Sequence, residues 1–374
     1  MSDALAIDGG SPVRDTAFPQ YVAPAPADDA EPIEAFEAEL TTAYAGQRIA
    51  IACGNRLEAL ALAIAAVRIT EGEIVVPTLR GDTAAEAVIS AGLTAVPGDV
   101  DPEAVNLSAR GFARAKSETT KGVIVTHAFG HATTMTDIVR LTENESVAII
   151  EDISESLGAS FAGNPVGGLG HAAALGFGDG HILAGCSGAA GGVVLVGEAV
   201  ADDVRAARDS QASALHPDAF AVALSELRES DHSLQLRREA AWQLTEQLRP
   251  LRGVQKMSHG RWIRHGYDSY VIRLRSMLWH RSVADTVTAL QAEGIPCQQA
   301  LATSLHRDPR IRQSLGDDDT RLTDRDFTTT AKLPEELIAI PLAGVDHPSD
   351  VADIVAALRK IEAANEAEPT ERTA

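Results

Sequence analysis

The residues best equipped for chemistry gather where apolar, strand-like runs end. His181 lies in a glycine-rich loop between AAALGF and GGVVLV, five residues before Cys186. Asp152 and Glu155 follow the run VAIIE, His127 and His131 follow GVIVT, and Arg80 and Asp82 follow EIVVPTL. Asn55 stands just past RIAIAC, which ends on Cys53, and Asp179 precedes His181 by two. An imidazole beside a carboxylate is an acid–base pair, because the carboxylate fixes the tautomer and raises the imidazole pKa. His181, Asp152 and Glu155 are therefore the expected catalytic residues. Asn55, Arg80, Asp82, His127, His131 and Asp179 are the expected substrate-binding residues. A site rich in carboxylates favours a neutral or cationic ligand, such as a hydroxyl-rich sugar, a cyclitol or an amine. Each group also has a plainer reading: His127 as a structural group, Asp152 as an acceptor for backbone donors at a strand end, and Cys53 and Cys186 as small buried residues.

These loops need a scaffold, and the hydrophobic pattern supplies one. Strand-like runs at residues 48–53, 73–77, 122–130 and 147–153 alternate with helical stretches at residues 57–67 and 83–91. Near-continuous apolar strands alternating with helices imply a parallel or mixed sheet covered on both faces. In such sheets ligands bind beyond the carboxyl ends of the strands, where the residues above fall. A helical region at residues 217–251, broken near 230–234, leads into a second set of elements at residues 269–274, 282–293 and 349–363. The expected division is a large domain over residues 1–235, a small C-terminal α/β domain over 236–363, and a frayed tail over 364–374.

Composition narrows the function. The chain has 374 residues, 53 acidic against 32 basic, for a net charge of −21. That balance argues against binding nucleic acid or an anionic membrane surface. Three widely spaced cysteines show no metal-ligand spacing, so no metal site is expected. With no apolar run of about 18 residues, the chain is expected to be cytoplasmic. The lysines are Lys116, Lys121, Lys256, Lys332 and Lys360, all outside the loops named above.

GGSPVR near the N-terminus, Gly54-Asn55 leading into LALAIAA, VTHAFGHATTM, IIEDISESLGA and the final GGVVLV follow one another along the chain. In order and spacing they resemble the DegT/DnrJ/EryC1/StrS aminotransferases, PLP-dependent enzymes of amino-sugar and aminocyclitol biosynthesis. The resemblance implies a fold-type I architecture, with a large domain of mixed, mostly parallel sheet between helices and a smaller C-terminal α/β domain. It also implies a homodimer with two active sites at the subunit interface. Residue by residue, it carries over unevenly. His181 takes the place of the Schiff-base lysine, Gly176 that of a phosphate-binding serine, and Asn55 that of a phosphate-binding threonine. Gly81 replaces an aromatic that stacks on the cofactor ring, Ala221 and Ala223 replace an Asn and an Arg sent by the partner subunit, and Glu155 replaces a Gln. Asp152 matches the carboxylate that pairs with the protonated pyridine nitrogen.

Each lost hydrogen bond to a phosphate dianion costs about 1.5–3 kcal/mol. The expectation is therefore that no cofactor is held; a retained PLP or PMP would rest on Asp152, Asn55 and His181. The leading functional reading is a PLP-independent enzyme acting on a sugar-, cyclitol- or amine-like molecule in secondary-metabolite biosynthesis, with His181 and Asp152 as acid–base centre. One alternative is a sugar 3-dehydratase using PMP, with His181 as base. The other is a non-catalytic partner of an active paralogue.

Overall fold

The computed structural model describes residues 4–18, 22–42, 48–143, 145–178, 190–211, 213–257, 260–301, 304–316, 322–323, 325–345 and 347–367. His181, Asp179 and Cys186 lie outside the described residues.

Fourteen strands are described in chain order, and seven of them form the main sheet. Those are β1 (Arg48–Cys53), β2 (Glu73–Pro77), β3 (Thr94–Gly98), β4 (Thr120–Thr126), β5 (Ala148–Asp152), β8 (Ala172–Phe177) and β9 (Gly191–Gly197). Their order is β1-β9-β8-β5-β4-β2-β3. Only β9 runs against its neighbours; every other pairing is parallel. The strands are buried along nearly their whole length, as two-sided coverage requires. A three-stranded ribbon comprises β6 (Ser160–Phe161), β7 (Asn164–Pro165) and β11 (Ile263–Arg264). A second sheet has the order β10 (Val254–Lys256), β12 (Ser269–Leu274), β14 (Leu337–Pro341), β13 (Gln298–Gln299).

The helices are α1 (Pro32–Leu40), α2 (Arg56–Ala66), α3 (Asp82–Ser90), α4 (Ala109–Ala115), α5 (Met135–Thr142), α6 (Glu198–Ser210), α7 (Pro217–Arg228), α8 (Ser230–Gln247), α9 (Val283–Ala292), α10 (Pro309–Leu315) and α11 (Pro348–Ala367). The expected break in the long helical region falls between α7 and α8, at Glu229. One core layer joins α1, α4, α5 and α7 to one face of the main sheet, and α2, α3 and α6 cover the other.

The domain boundary is less tidy than the pattern suggests. Residue 235 falls inside α8, whose Ala240, Ala241 and Leu244 pack with the second sheet. Leu5 at the N-terminus joins that same core, and the Glu293 carboxylate accepts the backbone N–H groups of Ala6 and Val13. The start of the chain thus belongs in space with its end. Helix α11 continues to Ala367, past residue 364 where the tail is expected to begin.

Candidate functional site

The expected loops converge at the carboxyl ends of β1, β2, β4 and β5. At the first, Asn55 is the N-cap of α2, its Oδ1 accepting the Glu58 N–H at 3.0 Å. The Glu58 carboxylate turns back and accepts the Gly54 N–H at 2.8 Å. A helix N-terminus is a ready anion site, and here Asn55 already meets one of its donors, the Glu58 N–H.

Arg56 leads from this turn into the centre of the site. Its Nε and Nη2 donate to one oxygen of Asp152, Oδ2, at 3.0 and 2.5 Å. Ser154 serves the other oxygen, its hydroxyl donating to Oδ1 at 2.7 Å and its N–H at 3.2 Å. That hydroxyl also accepts the Gly176 N–H, tying Asp152 to β8. Burial by itself would push the Asp152 carboxyl up; Arg56 and Ser154 outweigh it and hold the group below the usual carboxylate range. Asp152 is thus kept ionised to hold an arginine, a different role from the proton carrier expected of it. Gly176 makes the arrangement fit, because a Cβ there would lie 2.3 Å from the Cβ of Arg56.

A second pair lies beside the first. Arg80 Nε donates to Glu155 Oε1 at 3.0 Å, its Nη2 engages the same oxygen, and its guanidinium sits 5.2 Å over the Phe129 ring. Glu155 Oε2 accepts the Phe129 N–H at 2.9 Å. Burial opposes ionisation of Glu155, yet Arg80 and Arg56 together hold it below the ordinary value. Arg80 has φ 60° and Phe129 φ 57°, a left-handed backbone that non-glycine residues adopt at a cost. Asp82 is exposed in the first turn of α3 and lines a cleft of about 350 Å3 with Ser304, Arg307, Asp308 and Thr330.

The two histidines after β4 sit elsewhere. His127 is fully buried, its Nδ1 accepting the Thr133 N–H at 2.9 Å and its Nε2 meeting Glu151 Oε2 at 3.0 Å. Both ring nitrogens serve the scaffold, so the structural reading of His127 fits this geometry and substrate contact does not. His131 is buried against Asn106, edge-on to His265 with ring centroids 5.3 Å apart. It lines a cavity of about 20 Å3 with Phe129, Tyr267 and Tyr270, room for roughly one water. Cys53 is buried and its thiol is pushed up by desolvation, which leaves it inert.

Three groups are not among the candidates named from sequence: Arg56 and Ser154, which lie within the expected loops after β1 and β5, and Asp268. Arg56 carried one signal, a basic residue directly after a Gly-Asn turn. Asp268, just before β12, carried none. It is half-buried, and desolvation together with the charge of Glu155 pushes its carboxyl up to about 7, against the opposing pull of Ser269, Arg80 and Arg237. Between 3.8 and about 7 the unfolded chain releases this proton while the folded one keeps it. Stability from this group is therefore full at low pH and falls as pH rises through that window. Asp268→Asn, always neutral, should gain on the parent by about 1–2 kcal/mol between mildly acidic and mildly alkaline pH, after allowance for screening. Chemical denaturation of both proteins at the two pH values checks this; a constant difference would count against it.

A mixed sheet with β9 alone reversed, a smaller α/β unit behind it, and charged loops at the strand ends define an aminotransferase-like α/β protein of fold-type I. The DegT/DnrJ/EryC1/StrS aminotransferase family matches residues 28–359, and the chain belongs to that family. It is 35% identical over 135 residues to the GDP-perosamine synthase of Caulobacter vibrioides, a stretch covering 36% of each protein. The chain thus spans about a third of that curated relative's length. Among solved structures it is similar to DesI with its TDP-sugar product, at TM-score 0.84 and 20% identity over 100% of both chains. It is also similar to the E. coli GDP-4-keto-6-deoxy-D-mannose-3-dehydratase with bound hydrated PLP, at TM-score 0.73 and 14% identity, covering 91% of this chain and 100% of that one. These likenesses establish the fold.

They also overturn the expectation that no cofactor is involved. The family is PLP-dependent, and a neighbour in fold was solved with hydrated PLP. In the described conformation, however, both Asp152 oxygens are already engaged, Oδ2 by Arg56 and Oδ1 by Ser154, so a pyridinium nitrogen would have to displace one of these partners. Among the described residues there is no cluster suited to a metal ion, and no helix is long and apolar enough to cross a membrane.

Proposed function

We propose that this chain is an enzyme performing acid–base chemistry on a hydroxyl-rich or amine-bearing small molecule, of the sugar or cyclitol class, without transferring an amino group through a lysine. The setting is secondary-metabolite biosynthesis in the cytoplasm, and the assembly is the homodimer that the family resemblance implies. The observation carrying this reading is the pair of closed ion pairs, Arg56–Asp152 and Arg80–Glu155, with Asp268 beside Glu155 holding a proton near neutral pH. Such a cluster is close to neutral overall and offers both donors and acceptors, which suits hydroxyls and ammonium groups better than a free anion. In this scheme Arg80 and Glu155 orient substrate hydroxyls, and Asp268 and the sequence-assigned His181 hold and pass the proton.

The test incubates the protein with a panel of nucleotide-linked keto sugars and cyclitols in D2O and follows solvent deuterium entering substrate carbon by NMR. Exchange by the parent, reduced at least 100-fold in both Asp268→Asn and His181→Ala, is the expected result. Exchange unaffected by either change sinks the acid–base assignment, and no exchange with any member leaves the non-catalytic partner reading ahead. An amino sugar formed from a keto sugar with PLP and L-glutamate would overturn the proposal altogether. A second reading, sugar 3-dehydration with His181 as base, draws on that histidine's place in the loop and on the dehydratase likeness. It predicts loss of the substrate 3-hydroxyl when PMP is supplied.

A further inference from the structure

We infer that Arg56 is a built-in competitor for the cofactor, a guanidinium that holds the Asp152 carboxylate against a protonated pyridine nitrogen and must swing away before the ring can bind. Three features support this. First, both Asp152 oxygens are engaged: Arg56 makes two contacts to Oδ2, and Ser154 makes two to Oδ1. Second, the charge match is close, since a guanidinium and a pyridinium both present a planar cation with an in-plane N–H, so Asp152 can serve one or the other. Third, glycine at 176 lets the start of α2, and Arg56 with it, lie close against β8, since a Cβ at 176 would fall 2.3 Å from the Arg56 Cβ and 3.0 Å from its Cα. Any side chain at 176 would push residue 56, and so its guanidinium, away from this position.

Glu155 and Asp82 also favour the charged form of Arg56, so a ligand that takes its place on Asp152 must meet the cost of parting a buried ion pair. Nothing here depends on the reaction proposed above.

The test is PLP binding to the full chain, read by absorbance retained in equilibrium dialysis. Arg56→Gln, which keeps a polar group at the site but no charge, should bind PLP at least tenfold more tightly than the parent. In Arg56→Gln combined with Asp152→Asn the gain should vanish, because the carboxylate is the shared partner. Equal or weaker binding by Arg56→Gln overturns the inference, as does a gain that survives the Asp152 change, or absence of binding to every folded variant. Should the variants fail to fold, the parent itself decides. Its Arg56 Nε–H resonance, protected by Asp152, must shift and exchange faster on saturation with PLP, and an unmoved resonance in the PLP complex, or no PLP binding by the parent at millimolar cofactor, refutes the competition.

Discussion

Asp152→Ala is expected to destabilise the protein by about 3–5 kcal/mol, because it strands the Arg56 guanidinium without its carboxylate in a site closed to bulk water. The Asp152 side chain is fully buried and that of Arg56 is 15% exposed, so little solvent is at hand to replace the lost partner. Removing both charges together is a different matter. Arg56→Met with Asp152→Leu takes away the desolvation cost along with the attraction, and most of the loss should be recovered. Urea denaturation of the two single variants and the double one forms a complete cycle. A double variant no better than Asp152→Ala would mean that the pair holds the loops together by shape and not by charge.

The second large effect is expected at Glu151, one residue earlier and on the opposite face of β5. Its carboxylate takes His127 Nε2 at 3.0 Å and the N–H groups of Gly167, Leu169 and Gly170 at 2.9, 2.7 and 2.6 Å. Burial opposes the charge, but these donors hold it below the ordinary range. Glu151→Ala leaves four donors unmet, two of them fully buried, and should cost about 4 kcal/mol, at 1–3 kcal/mol for each unsatisfied group less whatever water recovers. The same change should expose the segment after β7 to proteolysis, since Glu151 makes three of the hydrogen bonds that tie residues 167–170 to the sheet. His127→Ala, which removes one donor and leaves the other three paired, should cost roughly half as much. Equal losses for the two variants would show that the imidazole, and not the carboxylate, organises this corner.

Much of this protein was legible before any coordinates. The alternation of apolar strands and amphipathic helices marked β1, β2, β4, β5 and the helices α2 and α3, because burial on both faces of a parallel sheet leaves a continuous apolar run that no loop can mimic. The placing of Asp152, Glu155, Arg80 and Asn55 at strand ends followed from the same pattern. The family resemblance rested instead on framework motifs, which record where the backbone must turn.

What the sequence left open is which charge meets which. Arg56 lies 96 residues from Asp152, Arg80 75 from Glu155, and His127 24 from Glu151. Strand order fixes those meetings, and periodicity carries no information about strand order. Adjacent acidic residues Glu151 and Asp152 face opposite sides of one strand, so one became a scaffold anchor and the other the centre of the site. The chain by itself determined the frame and the cast of ionisable groups. Only the tertiary structure decided that Asp152, which the family resemblance matches to a cofactor-pairing carboxylate, already has an arginine in its grasp, since the strength of a charge pair depends on distance and burial through space and not on separation along the chain.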